Sequence, residues 1–71
     1  MRIPTAILDK VKPILLEQGD LVHCRFSSNN GEIYMTTVTK KGNIQNDTIA
    51  TYDNLEKSCK LARSLNRVYR F

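Results

Sequence analysis

Hydrophobic and polar residues alternate along the middle of the chain, which predicts a β-hairpin. Residues 20–27 alternate with a period of two, and residues 32–40 are rich in β-branched and aromatic side chains. Asn30-Gly31 lies between the two segments and favours a two-residue turn, because both residues tolerate positive φ. The turn predicts the pairs Asn29 with Glu32, Phe26 with Met35, Cys24 with Thr37 and Val22 with Thr39. One face then carries the apolar side chains Val22, Cys24, Phe26, Ile33 and Met35.

A third, weaker strand is predicted over residues 43–52, after a turn at Lys41-Gly42. The apolar residues that we expect to face inward are Ile44, Ala50 and Tyr52. Asn46 and Thr48 fall on the same side of the strand, which gives that side a mixed polarity. The pattern therefore predicts an edge strand, or a bulge near Asn46-Asp47.

The first part of the chain has a helical pattern over residues 5–18, with Thr5 as the expected N-cap and Gly19 as the C-terminal stop. The apolar stripe consists of Ile7, Leu8, Val11, Ile14 and Leu15. Pro13 interrupts this pattern, because it lacks an N–H group and disfavours helical geometry at Lys12. We therefore expect a kink at Pro13 or two short helices.

The last part of the chain predicts a second, strongly amphipathic helix that begins with a capping box and runs to about Asn66. Asp53 is the expected N-cap, and Glu56 is the expected third residue of the helix. At 100° per residue, the apolar side consists of Leu55, Cys59, Leu61, Ala62 and Leu65. The opposite side is expected to carry a row of cations made of Lys57, Lys60 and Arg63, which Arg67 and Arg70 extend if the helix continues past Asn66.

Together these elements predict one α+β domain over residues 1–71. It consists of an N-terminal helix, a three-stranded antiparallel β-meander and a C-terminal amphipathic helix packed on the sheet. The N-terminal helix is expected either to cover the outer face of the sheet or to share the inner face with the other helix. A third alternative is that its apolar residues are buried by self-association in a homodimer.

The composition excludes several classes of function. Apolar residues make up 41% of the chain, and no apolar run approaches the roughly 20 residues that span a bilayer. We expect a cytoplasmic protein without membrane contact. His23 is the single histidine, and Cys24 and Cys59 lack metal-ligand spacing, so we expect no metal, no cofactor and no enzymatic activity. Both cysteines are expected to be buried free thiols.

The charge is uneven along the chain, and this asymmetry indicates an anionic partner. The net charge is +4, and from Lys57 onward the chain has five basic residues and no acidic one. A helix on a small domain also needs a solvated face, but such faces normally mix both signs of charge.

The outer face of the hairpin is a second candidate surface. Its residues are His23, Arg25, Tyr34, Thr36, Val38 and Lys40. Basic and aromatic side chains on an open sheet can stack on bases or enter a groove. The alternative is that the N-terminal helix covers this face.

Residues 20–66, three strands followed by a helix, resemble in outline the arm-binding domains of tyrosine recombinases and the plant AP2-type DNA-binding domains. The resemblance is architectural and includes no motif matched residue by residue. It implies a sheet that faces the DNA groove, with the helix behind it and the basic helix face pointing away from DNA.

We therefore expect a non-enzymatic nucleic-acid-binding or nucleic-acid-associated regulator. The basic row would hold phosphates, and Arg25 and Lys40 would assist it. The alternative is a small inhibitor or adaptor, of the type found in phages and mobile elements, that docks the same cations on an acidic surface of a partner protein.

Overall fold

The structure is a computed structural model and describes residues 2–69. The elements are α1 (Thr5–Gln18), β1 (Leu21–Asn29), β2 (Glu32–Thr39), β3 (Ile44–Thr51) and α2 (Leu55–Val68). The three strands form one antiparallel sheet in the order β1-β2-β3. This arrangement confirms the predicted α+β fold with a β-meander between two helices.

The hairpin register is confirmed over most of its length. The pairs Asn29 with Glu32, Phe26 with Met35 and Cys24 with Thr37 are all present. The turn residues Asn30 and Gly31 have φ of 53° and 85°. A Cβ atom on Gly31 would lie 2.1 Å from the Tyr52 carbonyl oxygen, so the turn requires glycine for space as well as for its φ.

One end of the hairpin differs from the prediction, because β1 contains a bulge at Val22. Leu21 pairs with Thr39, His23 pairs with Val38, and Val22 is the extra residue between them. Val22 is 52% exposed instead of lying on the inner face. The predicted pair of Val22 with Thr39 is therefore wrong.

The third strand also contains a bulge, but at Ile49 and not at Asn46-Asp47. Ile33 pairs with Ala50 while Tyr34 pairs with Thr48, which leaves Ile49 as the extra residue, 3% exposed and in the core. The insertion reverses the side for every earlier residue of β3, because side chains alternate along a strand. Ile44, expected to face inward, is therefore 68% exposed.

Both helices pack on the same face of the sheet, so the domain has two layers. α2 contacts β1 and β2, whereas α1 contacts β3. The buried core is a single cluster made of Ile7, Val11, Cys24, Phe26, Ile33, Met35, Ile49, Leu61, Ala62 and Leu65. Of the alternatives for α1, sharing the inner face is correct, and the outer face of the sheet is left open.

The helix boundaries correct three details. α1 is one helix that contains Pro13, not two short helices, and its N-cap is Pro4 without a side-chain hydrogen bond, not Thr5. Gly19 ends α1 with φ of 76°, as expected. α2 begins one residue later than predicted. Its N-cap is Asn54, whose Oδ1 accepts a hydrogen bond from the Lys57 N–H at 3.1 Å, and Asp53 does not cap it.

Candidate nucleic-acid interface

The solvent side of α2 carries a short row of cations. The buried side of the helix consists of Ser58, Leu61, Ala62 and Leu65. Lys60, Arg63 and Arg67 are exposed and lie opposite that side, about one helical turn apart, so the row spans about 10 Å. Together with Ser64 they line a shallow surface groove. We name these three cations the basic face.

Lys57 lies beside the basic face and not within it. Its Nζ is 4.9 Å from the centre of the Tyr52 ring, on the side of α2 that faces the end of β3. A cation over an aromatic ring is attracted to it by about 0.5–1 kcal/mol at an exposed site. Lys57 therefore belongs to the predicted row in sequence, but its ammonium group has a local partner.

One acidic residue enters the row, which the sequence analysis did not anticipate. Glu56 forms an ion pair with Lys60, with 3.1 Å between the carboxylate oxygen and Nζ. Both side chains are more than half exposed, so the pair is worth at most about 1 kcal/mol and is screened by salt. Within residues 2–69, neither Arg63 nor Arg67 has an acidic partner.

The apolar side of α2 is narrower than predicted. Leu55 is 59% exposed and Cys59 is also exposed, so both predictions of burial are wrong. Ser58 is buried instead, and its hydroxyl is satisfied because it donates to the Leu55 carbonyl at 2.8 Å.

The other cysteine, Cys24 on β1, is buried as expected, and burial raises the pKa of its thiol.

Asn66 gives α2 a second structural role, for which the sequence contained no signal. Its Oδ1 accepts a hydrogen bond from the Phe26 N–H at 2.7 Å, and its Nδ2 donates to the Phe26 carbonyl at 2.8 Å. The side-chain amide thus forms hydrogen bonds with both backbone groups that Phe26 directs away from β2. It therefore blocks strand pairing at the middle of the β1 edge.

The outer face of the sheet is open and polar at its centre. Arg25 is exposed beside Thr36, whose hydroxyl donates to Asn46 at 2.6 Å. The Tyr34 hydroxyl donates to the Glu32 carboxylate. This bond is the main cause that raises the pKa of Tyr34, with smaller effects of burial and of the Glu32 charge. At one end of the face, Val38 lies between its cross-strand partners His23 and Ile44, and Ile44 is largely exposed.

The predicted site residues therefore lie on two opposite sides of the domain. The basic face points away from the sheet, whereas Arg25 and Tyr34 lie on the outer face of the sheet. Lys40 is at the end of β2, beside a cleft of about 360 Å³ formed with residues of the α1–β1 connection and the β2–β3 turn. Arg70 lies outside the described residues. Because of this separation, the structure does not favour the expectation that Arg25 and Lys40 assist the basic row.

The described part of the chain contains neither a metal-binding cluster nor a membrane-spanning helix. Within residues 2–69, no three acidic, histidine or cysteine side chains form a group that could hold a metal ion. Neither α1 nor α2 has the length and hydrophobicity of a bilayer-crossing helix.

No protein-family model, curated protein or solved structure matches the chain. The resemblance to recombinase and AP2-type domains therefore has no support from these comparisons.

Proposed function

We propose that the protein is a non-enzymatic nucleic-acid-binding module that holds backbone phosphates on the basic face of α2. The observation that supports the proposal is the position of Arg63 and Arg67. They are exposed on successive turns of one helix and have no acidic partner within residues 2–69. Lys60 extends the row, and its weak pair with Glu56 is one that a phosphate can displace.

The physical basis of the proposal is counterion release. A duplex carries one negative charge for about every 1.7 Å of its axis, so a row about 10 Å long can contact several phosphates. Each phosphate that the protein neutralises releases condensed counterions, and this gain does not depend on base sequence. Leu61 and Leu65 are fully buried beneath the row, so α2 presents its cations from a fixed support.

The first test compares two double variants that lower the net charge equally. Arg63→Gln with Arg67→Gln removes charge from the basic face, whereas Lys10→Gln with Lys41→Gln removes it from exposed sites on α1 and the β2–β3 turn. Binding to a random-sequence 20-base-pair duplex is measured by fluorescence anisotropy at about 50 mM salt. We expect about a 100-fold loss for the arginine variant and a loss of a few-fold for the control.

Three results would contradict the proposal. The first is that the wild-type protein does not bind duplex or single-stranded nucleic acid at this salt concentration. The second is that both double variants weaken binding equally, which would indicate only a general effect of net charge. The third is that Arg25→Gln with Lys40→Gln causes the larger loss, which would transfer the interface to the outer face of the sheet.

A pull-down with the same arginine variant separates nucleic acid from an acidic protein as the partner. If the protein does not bind nucleic acid but retains a specific acidic protein from a nuclease-treated lysate, and loses it in the arginine variant, the adaptor function replaces the proposed one. The two partners use the same cations, so only the measured ligand distinguishes them.

A further inference from the structure

The two edges of the sheet differ in whether their backbone groups have partners. At the β1 edge, the Asn66 side chain of α2 bonds to both the N–H and the C=O of Phe26. This amide imitates a neighbouring strand, and α2 lies along the same edge. A fourth strand therefore cannot pair with the centre of β1 without displacing Asn66.

Among the described residues, 2–69, the β3 edge has no equivalent cover. In an antiparallel pair, alternate residues direct both backbone groups towards the partner strand, and the residues between them direct both groups away. The Thr39 N–H donates to the Asn43 carbonyl at 3.0 Å, which fixes this alternation, so Gln45 and Asp47 face β2. The residues that face outward are Ile44, Asn46 and Thr48. All three are exposed, and within residues 2–69 no hydrogen bond satisfies their backbone groups.

We propose that this β3 edge binds an extended peptide segment of another protein as a fourth strand. The regular stretch lies between the turn at Gly42 and the bulge at Ile49, so it pairs about five residues. Its three outward residues each offer one donor and one acceptor, which allows about six backbone hydrogen bonds. The proposal is independent of the function proposed for the basic face, because it uses a different surface.

The position of α1 favours a single extended segment over a second copy of the chain at this edge. α1 packs over β3 on the inner face of the sheet. Pairing β3 with β3 of another copy would place the two α1 helices over strands about 4.8 Å apart, whereas packed helices need about 8–10 Å between their axes. A single extended segment without a helix above it avoids this clash.

The side chains around the edge define the chemistry of the peptide. On the outer face, the peptide would lie beside Ile44, which is largely exposed, and beside Thr48. β-branched or other apolar side chains match these neighbours. On the inner side the nearest charge on β3 is Asp47, which is half-buried and accepts a hydrogen bond from the Gln45 side chain at 2.9 Å. A lysine or arginine between two apolar residues is therefore the preferred pattern.

The test uses a displayed library of random nine-residue peptides and two matched variants. Asn46→Pro removes the central outward N–H and is compatible with an edge strand, whereas Asn46→Ala keeps that N–H. Both variants lose the contact with Thr36, so that loss is matched between them, and the proline differs by its missing N–H group and its ring. Peptides enriched on the wild-type protein should bind Asn46→Ala equally well and bind Asn46→Pro about tenfold more weakly.

Two further measurements make the result decisive if Asn46→Pro disturbs folding. Selected peptides carrying N-methyl groups at alternate residues should lose binding to the wild-type protein. Amide NMR shifts should concentrate at residues 44–48. A selection that enriches no peptide, or peptides that bind equally after N-methylation, would overturn the proposal. Duplex binding by Asn46→Pro should equal that of the wild-type protein, so failure here is distinguishable from failure of the basic face.

Discussion

α1 and α2 have the same length, 14 residues each, and pack on the same face of the same sheet, but their solvent sides differ. α1 begins at Pro4 without a side-chain cap and contains a proline. Its exposed charges are balanced, with two acidic and two basic residues: Asp9, Lys10, Lys12 and Glu17. α2 is capped by Asn54, closes the β1 edge with Asn66 and has a net positive solvent side.

The contrast between the two helices indicates that packing alone does not account for the net positive charge of α2. Both helices bury an apolar stripe and need a hydrated opposite side, and α1 meets that need with balanced charges. The excess of one sign on α2 is therefore a feature that packing does not require. The two edges of the sheet also differ. Asn66 of α2 bonds to the backbone of the β1 edge, whereas no side chain of α1 bonds to the outward backbone groups of β3 within residues 2–69.

The largest expected effect is on stability, and it compares the loss of one buried side chain from each helix. Leu65 of α2 and Val11 of α1 are both completely buried. Leu65→Ala should lower the free energy of unfolding by about 2–5 kcal/mol, because it removes three buried carbons and leaves a cavity. Val11→Ala removes two carbons and should cost less. Urea denaturation measures both values, and a larger loss at Val11 would reverse the comparison.

The next effect tests whether Asn66 closes the β1 edge. Asn66→Ala leaves both backbone groups of Phe26 without partners, so it should destabilise the fold by about 1–3 kcal/mol. Asn46→Ala, on the exposed β3 edge, should stay within about 0.5 kcal/mol of the wild type. The Phe26 amide should also exchange with solvent faster in Asn66→Ala. Unchanged exchange would show that the amide does not protect this edge.

A smaller effect compares the two helix starts. Asn54→Ala removes the acceptor for the Lys57 N–H and should cost about 1 kcal/mol. Thr5→Ala should cost less than about 0.5 kcal/mol, because Thr5 lies inside α1 and does not cap it. Thermal unfolding of the two variants checks the contrast. A loss at Thr5 as large as that at Asn54 would mean that the α1 boundary is misplaced.

The smallest effect concerns the two thiols. Cys59→Ser should change the stability by less than about 0.5 kcal/mol, since Cys59 is exposed on the flank of α2. It should abolish the fast-reacting thiol in a native-state titration with a disulfide reagent. Cys24 should react only on unfolding, because it is buried and its raised pKa keeps the thiol protonated. Two fast thiols in the native wild type would contradict this assignment.

The sequence predicted the hairpin well because two independent signals agree there. The period of two fixes which residues face inward, and Asn30-Gly31 fixes the register. The bulges at Val22 and Ile49 were not predictable in position, because an extra residue in a strand leaves the local propensity unchanged. Ile44 was misplaced for this reason, since its side depends on a bulge five residues later.

The candidate site was predictable in outline but not in its contacts. Helical periodicity was sufficient to place Lys60, Arg63 and Arg67 on one side of α2. Asp53 and Asn54 are adjacent residues, and either type can cap a helix. The choice of Asp53 gave Glu56 a role in a capping box, whereas in the structure Asn54 is the N-cap and Glu56 forms an ion pair with Lys60. The contact of Lys57 with Tyr52 and that of Asn66 with Phe26 each join α2 to a residue outside the helix, which helical periodicity does not reveal.

The central claim is that the cations of α2 hold phosphates, and the salt dependence of duplex binding tests it most directly. With about three phosphates neutralised, the logarithm of the association constant should fall with the logarithm of the salt concentration with a slope of about −3. Arg63→Gln with Arg67→Gln should make that slope shallower by about 2. A slope near zero in the wild type, or one that the two substitutions leave unchanged, would contradict the account.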